Sequence, residues 1–339
     1  MSSKNSSTYK TKRTQDFQKN VDLEVMLEDV NGLLGEIDTD SIRSSIYSNK
    51  EHPIIFVMGP HRSGSTLFMQ WIANAGNFAY PTNLLSRFYA APIIGAKIQL
   101  LLTDPRYNFR DEILDFNSSI SFESENGKTK GATSPNEFWY FWRRFLPFGE
   151  IDWLPNDELM KVVDTGTLVG ELTGLTRVYK KPLALKAMIL NYNIEFLNKI
   201  FKKAIFIYTK RNPISNIESA LDARIKQTGS IDNWYSFKIP EYSELKKLKP
   251  EEQVAGQIYY INKAVSEGLK PVPEEKKLVV PYEDFCSDPG SVYLELKNLL
   301  SKQGSVIGEY KGEKSFKISR TQNENSSVNK LYEKFLAGK

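Results

Sequence analysis

The sequence contains very few of the residues that build disulfides and metal sites. Among its 339 residues there is one cysteine, Cys286, and there are two histidines, His52 and His61. A single cysteine excludes an internal disulfide and is typical of proteins from a reducing compartment. Two histidines exclude a histidine-rich metal site, and no spacing of ligand residues matches a zinc or EF-hand motif. We therefore expect a cytoplasmic protein that requires no metal.

Long apolar segments are also missing from the sequence. The N-terminal stretch MSSKNSSTYKTKRTQ is polar and lacks the apolar core of a signal peptide. The longest nearly apolar run, Tyr89 to Leu102, includes Lys97 and Gln99 and is too short to span a bilayer. The net charge of +4 is small, whereas nucleic-acid-binding domains usually carry a dense basic patch. We expect neither a membrane span nor a nucleic-acid partner.

The composition, with 40% hydrophobic and 25% charged residues, fits one α/β domain with additions at its ends. Residues 1–50 are expected to comprise a disordered N-terminus, residues 1–15, and a helical extension. Apolar residues recur at helical spacing through that extension, and we interpret it as an extra packing layer in preference to a partner-binding helix. The main domain is expected to span residues 51–310, followed by a basic tail, residues 311–339.

The most informative stretch reads as a buried strand, a glycine-bounded loop and a helix. The apolar run from Pro53 to Met58 is rich in β-branched residues, as in a central parallel strand. The loop GPHRSGST, residues 59–66, follows directly and leads into a helical pattern of apolar residues. A loop between a strand end and a helix N-terminus presents free backbone N–H groups and the positive end of the helix dipole. We therefore expect this loop to bind phosphate.

The loop differs from a P-loop at one position. The P-loop pattern G-x-x-x-x-G-K-[ST] requires a lysine directly after the second glycine, whereas Gly64 is followed here by Ser65 and Thr66. That lysine normally contacts the β- and γ-phosphates of a nucleoside triphosphate. The cation within this loop is Arg62. The loop can therefore cradle a phosphate, but it is poorly equipped for triphosphate chemistry.

A second pattern lies much later in the chain. The buried strand AIFIYTK, residues 204–210, ends in Arg211-Asn212-Pro213, and Ser219 follows eight residues after Arg211. Pro213 is expected to begin a helix, which places Ser219 two turns into it. Arg211 can offer a bidentate fork and Ser219 a hydroxyl donor, so the two can bind one phosphate from two sides.

Together, these motifs resemble those of the sulfotransferase family. PHRSGSTL is similar to the 5′-phosphosulfate loop, P-[KR]-[ST]-G-[ST]-[ST], and the Arg-Asn-Pro with its serine is similar to the 3′-phosphate motif. The resemblance covers about residues 53–300. It implies a soluble bacterial enzyme that uses 3′-phosphoadenosine 5′-phosphosulfate (PAPS). It also implies an α/β, P-loop-like three-layer fold, with a central parallel sheet of about five strands flanked by helices. The donor-binding residues implied are Arg62, Ser63, Gly64, Ser65, Thr66, Leu67, Arg211 and Ser219.

The resemblance also implies a catalytic lysine. In the family, the strand before the 3′-phosphate motif ends in a lysine that contacts the bridging oxygen of the phosphosulfate, and Lys186 occupies this place. Cytosolic members have their catalytic histidine two residues later, where this chain has Met188. Other branches carry a glutamate after the first helix, but residues 79–87 contain no carboxylate. The general base must therefore be a different residue here.

Glu137 is the first candidate for the general base. Five aromatic residues, 138–142, follow it directly, and their burial would raise the pKa of its carboxyl toward a useful value. However, Ser134-Pro135-Asn136-Glu137 also matches the capping box S-x-x-E, in which the carboxylate accepts from a backbone N–H. Both interpretations remain open, and His61 in the loop is the next candidate base.

The function that the resemblance implies is sulfuryl transfer from PAPS to a hydroxyl, less often an amine, of a small-molecule, carbohydrate or lipid-like acceptor. The basic tail would pack on or near the donor, although a solvated run of charge is equally compatible with its sequence. Two other functions remain as alternatives: a nucleotide-dependent phosphotransferase, and a non-catalytic nucleotide-binding module. No pattern in the sequence points to a particular acceptor or oligomeric state.

Overall fold

The computed structural model describes residues 13–45, 52–107, 112–113, 116, 120–125, 127–319 and 326–338. The disorder expected of residues 1–15 therefore falls mostly on residues outside the described part. Within the described residues, Thr14 is hydrogen-bonded: its N–H donates to the carbonyl oxygen of Gln227 at 3.1 Å.

A parallel sheet of four strands forms the centre of the described structure. The strands are β1 (Ile54–Met58), β2 (Leu183–Lys186), β3 (Ala204–Lys210) and β4 (Lys277–Pro281). Their order in the sheet is β2-β1-β3-β4, and every neighbouring pair is parallel. The carboxyl ends of β1, β2 and β3 therefore meet at one edge of the sheet, as the nearly continuous apolar runs of these strands predict.

Helices cover the sheet and its ends. In the described parts of the chain they are α1 (Val21–Ser45), α2 (Ser65–Asn74), α3 (Pro92–Thr103), α4 (Trp139–Phe145), α5 (Asn156–Val162), α6 (Thr165–Tyr179), α7 (Ile194–Ile200), α8 (Pro213–Thr228), α9 (Tyr242–Leu245), α10 (Pro250–Leu269), α11 (Tyr282–Ser287), α12 (Pro289–Lys302) and α13 (Ser326–Leu336). None of these helices is both long and apolar enough to cross a membrane.

The alternation of side chains along β1 divides the core into two halves. Ile54, Phe56 and Met58 pack on one face of the sheet with residues from α4, α6, α7 and α10. Ile55 and Val57 pack on the other face with α2, α11 and α12. Because successive residues of a strand point to opposite faces, one apolar strand fills both halves. The three-layer α/β architecture expected from the sequence is confirmed.

The resemblance implied about five strands, but the described residues contain four. The position beside β2 is occupied by a single bridge at Ala79. The N–H of Ala79 donates to Pro182 O at 2.8 Å, and its carbonyl accepts from Ala184 N at 2.8 Å. The next ladder donor on this side would be the N–H of residue 81, which is Pro81 and has none. The pairing therefore ends after one residue.

The N-terminal helix α1 is tied to the main domain by buried polar side chains. The Asn31 amide donates to Arg87 O at 2.9 Å and accepts from Ala90 N at 2.8 Å. The Asp38 carboxylate accepts from the N–H groups of Ile93 and Ile94 at 3.2 and 2.9 Å, and so caps the first turn of α3.

Candidate functional site

The loop between β1 and α2 is shaped by two glycines with left-handed backbones. Gly59 has φ 131° and Gly64 has φ 91°. A Cβ at Gly59 would lie 2.4 Å from Thr209 O, and one at Gly64 would lie 2.2 Å from a ring carbon of Tyr282. Both the conformation and the close approach therefore require glycine. The sequence indicated a tight loop but did not indicate that Tyr282 closes its far end.

One side chain beyond the end of β2 and one near the end of β3 hold this loop in place. Asn191, just after β2, bonds both the N–H and the carbonyl of Gly59: its Oδ1 accepts from Gly59 N at 2.9 Å and its Nδ2 donates to Gly59 O at 2.8 Å. Near the end of β3, the hydroxyl of Thr209 lies 2.8 Å from that of Ser63. Sequence reasoning missed Asn191 and Thr209, because no local pattern connects them to a loop so far away in the sequence.

Helix α2 begins directly behind the loop. Gly64 is its N-cap and makes no side-chain capping bond. The N–H groups of Ser65, Thr66 and Leu67 belong to the first turn, where no carbonyl of the same helix can accept from them. Their partial positive charge and the helix dipole favour an anion at this point. This is the position at which the sequence predicts the phosphosulfate.

Lys186 brings a cation to the start of α2. It is the last residue of β2 and is paired with Val57 of β1, and its side chain is only 7% exposed. Its Nζ donates to Thr66 Oγ1 and to Glu137 Oε1, both at 2.8 Å. Thr66, Glu137 and Lys186, which lie far apart in the sequence, therefore form one contact group.

Glu137 does not cap a helix, so the capping-box interpretation is wrong. Helix α4 begins at Trp139, after Phe138 has turned into the left-handed region with φ 56°. The Ser134 hydroxyl donates to Lys130 O. The second oxygen of Glu137, Oε2, accepts from the indole N–H of Trp139 at 2.8 Å. The carboxylate is held between Lys186 and Trp139, and 38% of its side chain remains exposed.

The pKa of Glu137 is shifted opposite to the direction expected from its aromatic neighbours. Burial raises the pKa of this carboxyl, but the charge and hydrogen bond of Lys186, the hydrogen bond of Trp139 and the charge of Arg62 outweigh burial. The net result is a pKa below the ordinary value of 4.5. Glu137 is therefore ionised at neutral pH.

His61 is a buried neutral imidazole. It is 6% exposed, and its ring stands edge-on to that of Tyr235 at a centroid distance of 5.4 Å. Neither ring nitrogen has a hydrogen-bond partner among the described residues. Burial, and then the charge of Arg62, lower the pKa of His61 to about 3. A group with this pKa has little tendency to take up a proton at neutral pH.

The second motif meets the first loop through Arg62. Arg62 Nε donates to Ser219 Oγ at 3.2 Å, and Arg211 Nη1 donates to the carbonyl oxygen of Arg62 at 3.1 Å. The guanidinium of Arg211 lies 4.9 Å from the ring centroid of Tyr282. The eight-residue spacing thus brings Arg211 and Ser219 to the same side of the loop. Tyr282 is the first residue of α11, directly after β4.

The first part of the C-terminal tail runs past Arg211. Phe316 N donates to Cys286 O at 2.7 Å, and Ser319 N donates to the hydroxyl of Tyr282 at 3.3 Å. Arg211 Nη2 donates to the carbonyl oxygen of Ser319. The segment therefore follows α11 and ends beside the guanidinium of Arg211.

Comparison with known proteins gives a family match and several solved structures of similar fold. The model of the sulfotransferase family matches residues 53–300. Sulfotransferase STF9 from Mycobacterium avium superposes with a TM-score of 0.53 at 16% identity, over 98% of this chain and 79% of that one. Sulfotransferase STF1 from Mycobacterium tuberculosis H37Rv superposes with a TM-score of 0.53 at 12% identity, over 96% and 88%. No curated protein matches this sequence.

Proposed function

Because the chain belongs to the sulfotransferase family, we propose that it transfers a sulfuryl group from PAPS to a hydroxyl, less often an amine, of a small acceptor. The observation that carries the proposal is the position of Lys186 Nζ, 2.8 Å from both Thr66 Oγ1 and Glu137 Oε1. One ammonium thereby joins the first turn of an anion-binding helix to a partly exposed, ionised carboxylate.

Two features support a phosphate-bearing donor at this site. The loop can present its backbone to a ligand because positions 59 and 64 are glycines; a side chain at either position would collide with Thr209 or Tyr282. On the 3′ side, Arg211 is 7% exposed, and its Nε is buried without a partner among the described residues. A buried N–H group without a partner is costly, and an anionic oxygen would satisfy it.

In the proposed reaction, Lys186 stabilises the leaving group. The acceptor oxygen forms a bond to sulfur while the bond from sulfur to the bridging oxygen breaks, and negative charge builds on that oxygen. An ammonium at the start of α2 stabilises this charge more in the transition state than in the ground state, which lowers the barrier. The leaving group departs as the 3′,5′-bisphosphate.

Glu137 takes the proton of the acceptor hydroxyl in this proposal. Its low pKa makes it a weak base while Lys186 holds it. An anionic donor gives the ammonium of Lys186 a second partner and so weakens its bond to Glu137. The basicity of the carboxylate then rises when a proton must be accepted. His61 is only 6% exposed and has a pKa of about 3, so it is poorly placed to reach an acceptor and is also a weak base.

The alternatives differ from this proposal in what they require of the site. A phosphotransferase would use a lysine of the loop beside the β- and γ-phosphates, and position 65 is a serine. The lysine that reaches Thr66 is Lys186, which comes from β2 and not from the loop. A non-catalytic binding module has no need of a carboxylate facing Lys186. A cytoplasmic location, a small-molecule, carbohydrate or lipid-like acceptor, and a tail that closes over the donor belong to the same proposal.

Isothermal titration of the full chain with two nucleotides tests the donor. We expect adenosine 3′,5′-bisphosphate to bind more tightly than Mg-ATP, because Arg211 and Ser219 match the 3′-phosphate and the P-loop lysine is missing. Adenosine 5′-monophosphate serves as the control that lacks the 3′-phosphate. Tighter binding of Mg-ATP would favour the phosphotransferase and contradict the proposal.

A further inference from the structure

We infer that Arg62 binds the 3′-phosphate of the donor, together with Arg211 and Ser219, although it lies in the loop that faces the phosphosulfate. The inference rests on the proposed function, and it assigns Arg62 to the opposite end of the nucleotide from the one its motif implies. The side chain itself gives the reason: Arg62 Nε donates to Ser219 Oγ at 3.2 Å.

The backbone of Arg62 is fixed in a costly conformation by the same group of residues. Its φ is 63°, in the left-handed region, which is unfavourable for a residue with a Cβ. Such a conformation persists where the surroundings hold it. Here Arg211 Nη1 donates to the Arg62 carbonyl at 3.1 Å while the Arg62 side chain reaches Ser219. The main chain and the side chain of Arg62 are thus both tied to the 3′ motif.

The guanidinium groups of both arginines therefore donate within one small group of residues: that of Arg211 to the Arg62 carbonyl, and that of Arg62 to the Ser219 hydroxyl. Burial is the main cause that lowers the pKa of Arg211; the charges of Tyr282 and Glu283 oppose it, and the charge of Arg62 adds to it. Among the described residues, neither arginine forms an ion pair. The nearby Glu283 accepts from Asn212 N at 3.2 Å instead. Arg211 Nε is buried without a partner among the described residues, and an anion bound by both arginines would satisfy it and offset their like charges.

The charge of the donor matches this arrangement. A phosphate monoester such as the 3′-phosphate carries about −1.5 to −2 at neutral pH, because its second pKa is near 6. In the phosphosulfate, the phosphoryl and sulfuryl groups each carry a single negative charge. Lys186 and the first-turn N–H groups of α2 serve that end. The more highly charged 3′-phosphate is then left for two arginines and one hydroxyl.

Discrimination between two nucleotides tests this assignment. In Arg62→Met we expect adenosine 3′,5′-bisphosphate to bind about 10- to 150-fold more weakly, the loss of one hydrogen bond to a charged group. Adenosine 5′-monophosphate should lose no more than about fivefold, the range for a screened charge at a distance. Arg211→Met is the positive control and should lose the same discrimination. Lys210→Met removes an exposed cation from the adjacent position and should leave the affinity ratio unchanged.

Each other result contradicts the inference. Equal losses for the two nucleotides in Arg62→Met would assign Arg62 to the 5′ end, and unchanged binding of both would remove it from the site. Thermal unfolding of each variant, measured alongside, detects a folding defect, and Arg62→Lys then retests the charge with less disturbance. A wild-type chain that binds neither nucleotide would overturn the proposed function itself.

Discussion

At the scale of single residues, the pair formed by Lys186 and Glu137 decides how the site responds to mutation and to pH. Each partner meets the other at 2.8 Å, and each has a second contact, Thr66 for the lysine and Trp139 for the carboxylate. The pair is therefore oriented on both sides. The lysine and the carboxylate neutralise each other in the free protein, and in the proposed mechanism an anionic donor frees the carboxylate by binding to Lys186.

Replacement of Glu137 separates its charge from its shape. Glu137→Gln keeps an oxygen that can accept from Lys186 but cannot take the acceptor proton, so we expect turnover to fall about 10²- to 10⁴-fold. Bisphosphate affinity should change little. Steady-state kinetics on PAPS with an active acceptor measures the effect. Glu125→Gln, which alters an exposed carboxylate at the β-bridge between Glu125 and Lys128, is the matched control and should keep full turnover.

The pH profile of the wild-type protein checks the same assignment. A base must be deprotonated, and the pKa of Glu137 lies below 4.5 in the free protein. The acid limb of kcat/KM for PAPS should therefore lie below pH 4.5, because this ratio reports the enzyme before the donor binds. Full turnover by Glu137→Gln, with an unchanged acid limb, would exclude Glu137 as the base.

At the scale of elements, the strand–loop–helix unit of β1 and α2 depends on contacts that only the folded chain supplies. Gly64 lies under the ring of Tyr282, and Gly59 lies against Thr209. These contacts fix the path of the loop, so the N–H groups at the start of α2 point to one place. The loop is preorganised for an anion because it cannot relax toward either neighbour.

Alanine substitutions at two glycines separate collision from backbone strain. Gly64→Ala adds a Cβ 2.2 Å from the Tyr282 ring at φ 91°, whereas Gly76→Ala at φ 71° meets nothing within 4 Å. We expect Gly76→Ala to lose only the left-handed penalty, about 1–2 kcal/mol of unfolding free energy. Gly64→Ala should lose more and should also lose bisphosphate affinity. Urea unfolding and calorimetry measure both effects, and equal losses of stability would show that Tyr282 leaves room for the side chain.

The sequence predicts elements well where the pattern is local. The strand from Pro53, the glycine loop and the helix after it follow from one continuous stretch, and so does the Arg-Asn-Pro start of α8. The start of α4 is different, because Phe138 adopts a left-handed conformation that no propensity favours. That turn aims Glu137 at Lys186 instead of at a backbone N–H, so a local capping pattern gave the wrong role for its carboxylate.

At the scale of the whole molecule, the site exists because parallel strands end at one edge. Lys186 ends β2, the glycine loop follows β1, and Arg211 follows β3; these three strands are neighbours in the sheet. The order of motifs along the chain is enough to predict this meeting. The contact of Tyr282 with the loop was not predictable, because β4 and α11 lie far from the loop in the sequence. Such contacts depend on packing across the fold and leave no periodic signal in the sequence.

The most direct test of the proposed chemistry is the fate of PAPS itself. The full chain is incubated with PAPS and a panel of hydroxyl- and amine-bearing acceptors, and adenosine 3′,5′-bisphosphate and sulfated product are both quantified. We expect the two products in equal amounts with at least one acceptor, and turnover about 10²-fold or more lower in Lys186→Met, the range for removing a donor to developing negative charge. Equal turnover by wild type and Lys186→Met would contradict the assignment of Lys186. Transfer of the γ-phosphoryl group of Mg-ATP to the same acceptors would contradict sulfuryl transfer altogether.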